Sequence, residues 1–428
     1  MSKHQLTELS SGERVISERV PGVRSIALGF WIGAGSRDEP DSRAGVSHFI
    51  EHLLFKGSSR YTAQEIAEIF DELGGELNAA TSRETTVVYA RIADDRLERA
   101  LDVMADMVFR PAFVDVDAER EVVLEEIAMV EDTPNDLIHD IASEAVFGAH
   151  PLGRPVIGRA EVISSVSRRA LSGYHRRAYQ GENIVLAAAG NVRHDDLVSL
   201  LRERIDGGGT GPGLAARKPV RTNGGPGVRF QRKDTEQYHV CLSAPGISRV
   251  DERRFAASLM DAILGGSASS RLFQEIREKR GLAYSVYSYS AQYHDTGQVG
   301  VYVGTREDNL AECLALAVAE LSDLARGNVK TDELVRAKEN LKGRILLSLE
   351  STSARMTRLG KSTVTETPIL TPEQIVKRLE AVSAGEVAEL ADALLAPERL
   401  SVAGIGPDES QFAEAVQRVN PALASQAA

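Results

Sequence analysis

An α+β fold in two duplicated halves, each a largely antiparallel sheet covered by helices on one face, is predicted by three observations. A Gly- and Pro-rich stretch without apolar period, DGGGTGPGLAARKPVRTNGGP at 206–226, falls almost at the midpoint of the 428 residues. Such a stretch cannot hold a helix or a central strand. Strand-like and helix-like segments then follow in the same order on either side of it. Finally, strand-like pairs alternate with amphipathic helices, which favours antiparallel sheets backed by helices over a solenoid of many short repeats. The expected organisation is one half at 1–208, a linker at 209–226 and a second half at 227–428.

In the first half a β-rich run at 23–32 leads through a polar loop to a helix expected near 43–56. Val46, Phe49, Ile50, Leu53 and Leu54 stand at i, i+3, i+4, i+7 and i+8, one helical stripe. The second half repeats this with a strand at 240–244, the loop ISRVDERR and a helix near 252–264. An offset of 209 carries the stripe onto Phe255, Ser258, Leu259, Ala262 and Ile263, four of them apolar. Each half continues with a strand (85–92; 299–304), an amphipathic helix (Leu97–Phe109; Leu310–Ala325) and a last helix (118–131; 332–350).

The composition narrows the function. An apolar fraction of 43% and a charged fraction of 26% are ordinary for a globular chain. They exclude a disordered, fibrous or disulfide-stapled protein. Against 62 Asp and Glu stand 50 Lys and Arg, a formal charge of −12. The net field therefore disfavours nucleic acid and anionic lipid, and no long Lys/Arg run offsets it. Cys241 and Cys313 lack a CxxC partner and read as reduced core thiols. The opening MSKHQLTELSSGERVISERV has no apolar signal core, and no stretch approaches the roughly 18–20 apolar residues of a membrane span. A cytoplasmic protein with no membrane or nucleic-acid partner is expected.

The first amphipathic helix carries His48-Phe49-Ile50-Glu51-His52, an H-x-x-E-H string. His48 and His52 are one turn apart on the same side, and two neutral imidazoles so placed can hold one Zn²⁺. Glu51 projects from that side but is offset, which suits it to a water beside the metal. The set is shifted by two residues, about 200°, from the apolar stripe, so one face packs and another is left for chemistry. Taken alone, the string also fits a solvated polar face.

A catalytic zinc takes three protein ligands and keeps one position open. The helix at 118–131 places Glu119, Val122, Val123, Glu126 and Val130 on one face. Two acids thus share a face with three valines that favour burial. A buried carboxylate is costly unless a metal or a cationic partner compensates it. Glu121 and Glu125 fit an ordinary charged surface.

The strings HFIEHLLFKGSSRYTAQEI, GGELNAATSRETTVVYAR and EREVVLEEIAMVED resemble the pitrilysin/insulinase family of inverted-motif zinc metallopeptidases. Within it the chain resembles the branch of the mitochondrial processing peptidase β subunit and its bacterial relatives. The resemblance spans essentially the whole chain. It implies one Zn²⁺ per chain, held by His48, His52 and a downstream glutamate matching Glu126 in Val123-Leu124-Glu125-Glu126-Ile127. Glu125 competes for that role but points about 100° away from Glu126. Glu119, seven residues earlier, matches the acid that supports the site from behind.

The resemblance extends to Arg277 and Tyr284, which match an R-x6-Y element whose side chains reach the substrate. A guanidinium and a phenol can donate to an oxyanion. Arg271 and Arg280 lie close enough in sequence to be confused with Arg277. Asn78, Ala79, Ala80 and Thr81 match an edge-strand segment, which can bind a substrate peptide as an added strand. His150, in HPLGRPVIG, reads as structural. The 209 offset puts Ala257, Met260 and Asp261 at the places of His48, Glu51 and His52, so the metal motif occurs once.

Together these readings imply a zinc endopeptidase acting on extended peptides or unfolded segments, with Glu51 as general base. A catalytically silent scaffold subunit, or a peptidase dedicated to a single precursor, are the alternatives. The expected assembly is a homodimer, with a heterodimer with a paralogue as the other arrangement.

Overall fold

The computed structural model describes residues 4–205, 213–220, 225–421 and 423, so the expected linker at 209–226 lies partly outside the described residues. The strands are β1 (His4–Glu8), β2 (Arg14–Arg19), β3 (Ser25–Ile32), β4 (Glu76–Thr81), β5 (Thr86–Ala93), β6 (Ile184–Gly190), β7 (Val228–Arg232), β8 (Tyr238–Gly246), β9 (Ala283–Gln292), β10 (Gly297–Thr305) and β11 (Ser401–Gly406). The helices are α1 (Val46–Leu54), α2 (Ala63–Glu72), α3 (Leu97–Phe109), α4 (Val116–Glu131), α5 (Pro134–Phe147), α6 (Ala160–Ser165), α7 (Arg168–Ala178), α8 (His194–Arg202), α9 (Arg254–Leu264), α10 (Leu310–Ala325), α11 (Thr331–Ser348), α12 (Thr352–Val364), α13 (Pro372–Ala381), α14 (Ala384–Leu395) and α15 (Glu409–Val419).

The α+β fold class is as expected. The two sheets have orders β1-β2-β6-β3-β5-β4 and β7-β11-β8-β10-β9. Apart from the extra β1, the second order repeats the first strand for strand. The one parallel pair also falls at equivalent places, β2 with β6 and β7 with β11. Helices α4 and α11 are present but are not last in their halves, since further helices follow each. Helix α7 shows why the apolar pattern does not mark them: its buried stripe is Leu171, Tyr174, His175 and Ala178, whose polar members blur the apolar period.

The chain forms two compact units that are not contiguous in sequence. The first comprises Met1–Ala128, Pro155–Arg217 and Leu346–Thr371; the second comprises Met129–Arg154, Lys218–Ile345 and Pro372–Ala428. The compact units thus cut across the expected halves, because one helix of each half belongs to the other half's sheet.

In the first unit the apolar run of β3 divides by the pleat. Ile26, Leu28, Phe30 and Ile32 face the main core with α1, α3, α7 and α8. Ala27 and Trp31 face the other side, with Ile16, Val185, Ala187 and Ala189, against Met356 and Leu359 of α12. The expected helical layer is therefore present, and the opposite face carries a helix as well. A strand covered on both faces reads as a continuous apolar run, as IALGFWI does. Helix α12 approaches closely because residue 360 is glycine: a Cβ there would stand 2.1 Å from Trp31 Nε1. The Glu18 carboxylate, 1% exposed, bonds the guanidinium groups of Arg355 and Arg358 of that helix.

The second unit mirrors this. Helices α9, α10, α14 and α15 pack together along one face of its sheet. On the other face Ile138, Ala142 and Ala145 of α5 cover Cys241, Tyr302, Ala403 and Ile405. Cys241 and Cys313 are both buried free thiols.

Candidate metal centre

Helix α1 is set in place from its first residue. Gly45 has φ +96°, a left-handed conformation that L side chains avoid. A Cβ there would also lie 2.6 Å from the carbonyl of Ile157. Buried Glu39 accepts the N–H groups of Gly45 and Ser47 at 2.7 Å each, satisfying donors that a helix start leaves unpaired. The stripe Val46, Phe49, Ile50, Leu53 and Leu54 is fully buried. With that face fixed, His48, Glu51 and His52 project from another.

Helix α4 meets them. Val123 and Ile127 are buried in the same core, which presents Glu119 and Glu126 to α1. Val122, expected to be buried on that face, is 49% exposed; Val123 and Ile127 anchor the helix instead. Glu125 is exposed.

One donor atom from each of His48, His52 and Glu126 lies within 4.8 Å of the others. His52 Nε2 is 3.2 Å and His48 Nε2 3.6 Å from Glu126 Oε2. His52 Nδ1 is 2.8 Å from Glu119 Oε1. A carboxylate can only accept, so we assign the proton to Nδ1 and, in the neutral ring, a lone pair to Nε2. Burial, with His52 contributing second, lowers the His48 pKa from 6.5 to about 4, so that imidazole is neutral near pH 7. His48 Nδ1 is buried without a hydrogen-bond partner among the described residues. With that tautomer the Nε2 lone pair of His52 faces the Glu126 carboxylate at 3.2 Å, a contact that is repulsive unless a cation intervenes. Two ligand atoms about 2.1 Å from a tetrahedral zinc stand about 3.4 Å apart, and the two separations bracket that value. The donor set fits zinc.

Glu51 lies beside this group and accepts a hydrogen bond from the Thr81 hydroxyl. Burial raises its pKa, and the Thr81 bond opposes the rise. Thr81 ends β4, the outermost strand of its sheet. Asn78, Ala79, Ala80 and Thr81 pair with β5 on one side, which leaves the other edge of β4 unpaired by any described strand.

Arg277 and Tyr284 belong to the second unit. Arg277 sits in the π-helical turn Phe273–Glu278, its guanidinium 4.4 Å from the ring centre of Tyr284 and 4.6 Å from that of Phe273. Tyr284, on the outermost strand β9, is 78% exposed. Arg271 is engaged by Glu333 and Asp323, and Arg280 by Glu275. His150 accepts the Leu152 N–H and meets the carbonyl of Lys218, a structural arrangement. Two partners were missed from sequence. Thr81 as the mate of Glu51 carries no sequence signal, because the contact joins separate elements. Lys56, whose Nζ is 2.6 Å from Glu119 Oε2, lies one helical turn past His52, a spacing that could have flagged it.

A duplicated α+β scaffold that, among the described residues, gathers two imidazoles and a carboxylate about one point in one copy only defines a protein built around a candidate metal centre. Residues 14–160 match the family described as Insulinase (Peptidase family M16), and residues 165–341 match the Peptidase M16 inactive domain. A protein of Mycobacterium leprae named as an uncharacterized zinc protease is 43% identical, over 95% of this chain and 92% of its own. The uncharacterized zinc protease YmxG of Bacillus subtilis is 40% identical, over 89% and 93%. The crystal structure of a protease from Helicobacter pylori shares the fold at TM-score 0.90 and 21% identity, covering 95% of this chain and all of that one. The chain belongs to the insulinase family, peptidase family M16. Among the described residues no helix is long and apolar enough to cross a membrane.

Proposed function

We propose that the protein is a zinc-dependent endopeptidase that cleaves extended peptides or unfolded segments. The observation that carries this reading is the convergence of His48, His52 and Glu126, with a buried Glu51 alongside. Zinc held by those three residues would supply a Lewis acid that lowers the pKa of water toward about 7. Glu51 accepts the proton of the attacking water on a carboxylate oxygen and delivers it to the nitrogen of the leaving amine. The Thr81 hydroxyl keeps that carboxylate oriented. Glu119 fixes the ring of His52 through Nδ1. Asn78, Ala79, Ala80 and Thr81 offer main-chain groups along which a substrate backbone lies as an added strand. By the family resemblance, the groups that would donate hydrogen bonds to the substrate and to the oxyanion are Arg277 and Tyr284. Because one chain carries both the metal set and the R-x6-Y pair, a homodimer is the expected assembly; a heterodimer with a paralogue is the other.

The test combines metal analysis with cleavage of a fluorogenic peptide. The native chain should contain one zinc and lose cleavage with a chelator. Glu51→Gln should keep zinc and lose about 10²–10⁴-fold in kcat. A metal-free chain with no chelator-sensitive cleavage would overturn the reading in favour of a silent scaffold.

A further inference from the structure

Lys56 follows the end of α1, four residues beyond His52. Its ammonium is 2.6 Å from Glu119 Oε2, and the other oxygen of that carboxylate is 2.8 Å from His52 Nδ1. Glu119 is only 5% exposed, so its two oxygens are divided between one cation and one ring N–H. The lysine stem is one-third exposed, and the ammonium reaches inward to a carboxylate that the core would otherwise hold poorly compensated. We propose that Lys56 is a positioning residue of the metal centre: it neutralises and anchors Glu119, and through Glu119 holds His52 with Nδ1–H outward and Nε2 toward Glu126, raising the affinity for a divalent ion. The inference rests on the metal set proposed above.

The geometry supports this through two couplings. A carboxylate held by one donor can rotate about its terminal torsion, whereas one held at both oxygens cannot. A His whose outer nitrogen is held by an anchored carboxylate has one orientation and one tautomer. Lys56 supplies the second anchor from the turn that directly follows the helix carrying His52, so acid and ring are registered to each other by one short stretch of chain.

The test uses the full chain and zinc alone, read by competition with a chromogenic chelator. Lys56→Met, which keeps the stem and removes the charge, should weaken zinc binding about 10–100-fold, and Lys56→Arg should restore it to within a few-fold of native. Glu119→Gln should weaken binding as well. The double variant Lys56→Met/Glu119→Gln should be no weaker than Glu119→Gln alone, since Lys56 acts only through that carboxylate. Melting of the metal-stripped proteins checks folding, and Lys56→Gln carries the same expectation should Lys56→Met not fold. Zinc binding within twofold of native in the charge-removing variants, or additive losses in the double variant, would overturn the inference. Native chain that binds zinc but cleaves no peptide would sink the proposed peptidase and leave the Lys56 effect measurable. Native chain that binds no zinc would sink both.

Discussion

Helices α1 and α9 occupy the same place in two sheets of the same order, yet only α1 carries a candidate metal-binding set. Both bury an apolar stripe. On α1 the remaining face holds His48, Glu51 and His52; at the equivalent places α9 has Ala257, Met260 and Asp261, and Ala257 and Met260 are buried core. Asp261 is stabilised locally, by a hydrogen bond from Ser288. The topology therefore demands a packed stripe at this position and nothing more. The candidate metal centre is an addition to the α1 face, with Glu39, Glu119 and Lys56 as its local neighbours.

The comparison can be broken most severely at the exchanged helices. Residues 1–208 alone lack α12, which exposes Trp31, Val185 and Ala187 and leaves Glu18 without Arg355 and Arg358. Removing the partners of a buried carboxylate costs about 3–5 kcal/mol by itself. This fragment should show no cooperative melt and should bind a hydrophobic dye, while one carrying residues 346–371 in fusion should recover a transition. A cooperatively folded 1–208 would show that α12 is dispensable.

A smaller asymmetry concerns acid. His175 in the first unit is buried, donates its Nε2–H to the Val108 carbonyl, and has its pKa lowered by burial from 6.5 to about 4. Because the unfolded chain binds the proton first, stability is lost as pH falls below 6.5 and the loss levels off below about 4. That difference is worth roughly 3 kcal/mol for His175, and His48 adds in the same direction in the metal-free chain. Hydrogen exchange between pH 7 and 4 should show the first unit opening before the second; simultaneous opening would contradict the assignment.

Next in size is the helix start. Gly45 has φ +96°, whereas Arg253 before α9 has φ −69°. Gly45→Ala should cost at least about 1–2 kcal/mol, and Arg253→Ala within about 0.5 kcal/mol, both read from denaturant melts. Equal losses would mean that the two starts are equivalent after all. Smallest is Thr81→Val. It removes the hydrogen bond that opposes the rise in the Glu51 pKa, so the acid limb of the pH–rate profile should move to higher pH with a few-fold loss of kcat at neutral pH. An unmoved limb would separate Thr81 from the base.

Local patterns were legible in the sequence where one element decided them. Leu97–Phe109 and Leu310–Ala325 emerge with the bounds their apolar period gives, and the separation of packing and polar faces on α1 follows from helical geometry alone. Glu119 and Glu126 share one face of α4, but which of them meets both imidazoles came from family resemblance, because spacing within α4 does not say how α4 meets α1. The rest lay beyond local reading for the same reason. The second covered face of each sheet depends on a helix far away in sequence, and the exposure of Val122 depends on Val123 and Ile127 winning the core contact. Thr81 and Lys56 acquire roles only through neighbours from other elements.

The exchange of α5 and α12 also orders events in time. During synthesis α1 and most of its sheet emerge early, but the helix that seals the back of that sheet begins only at Thr352. Until then Trp31 and its neighbours face the cell's contents uncovered, and α5 has already appeared without strands β7 to β11 to rest on. Neither unit can finish before nearly the whole polypeptide has left the ribosome, so apolar surface on both sheets waits for its covering helix through most of elongation.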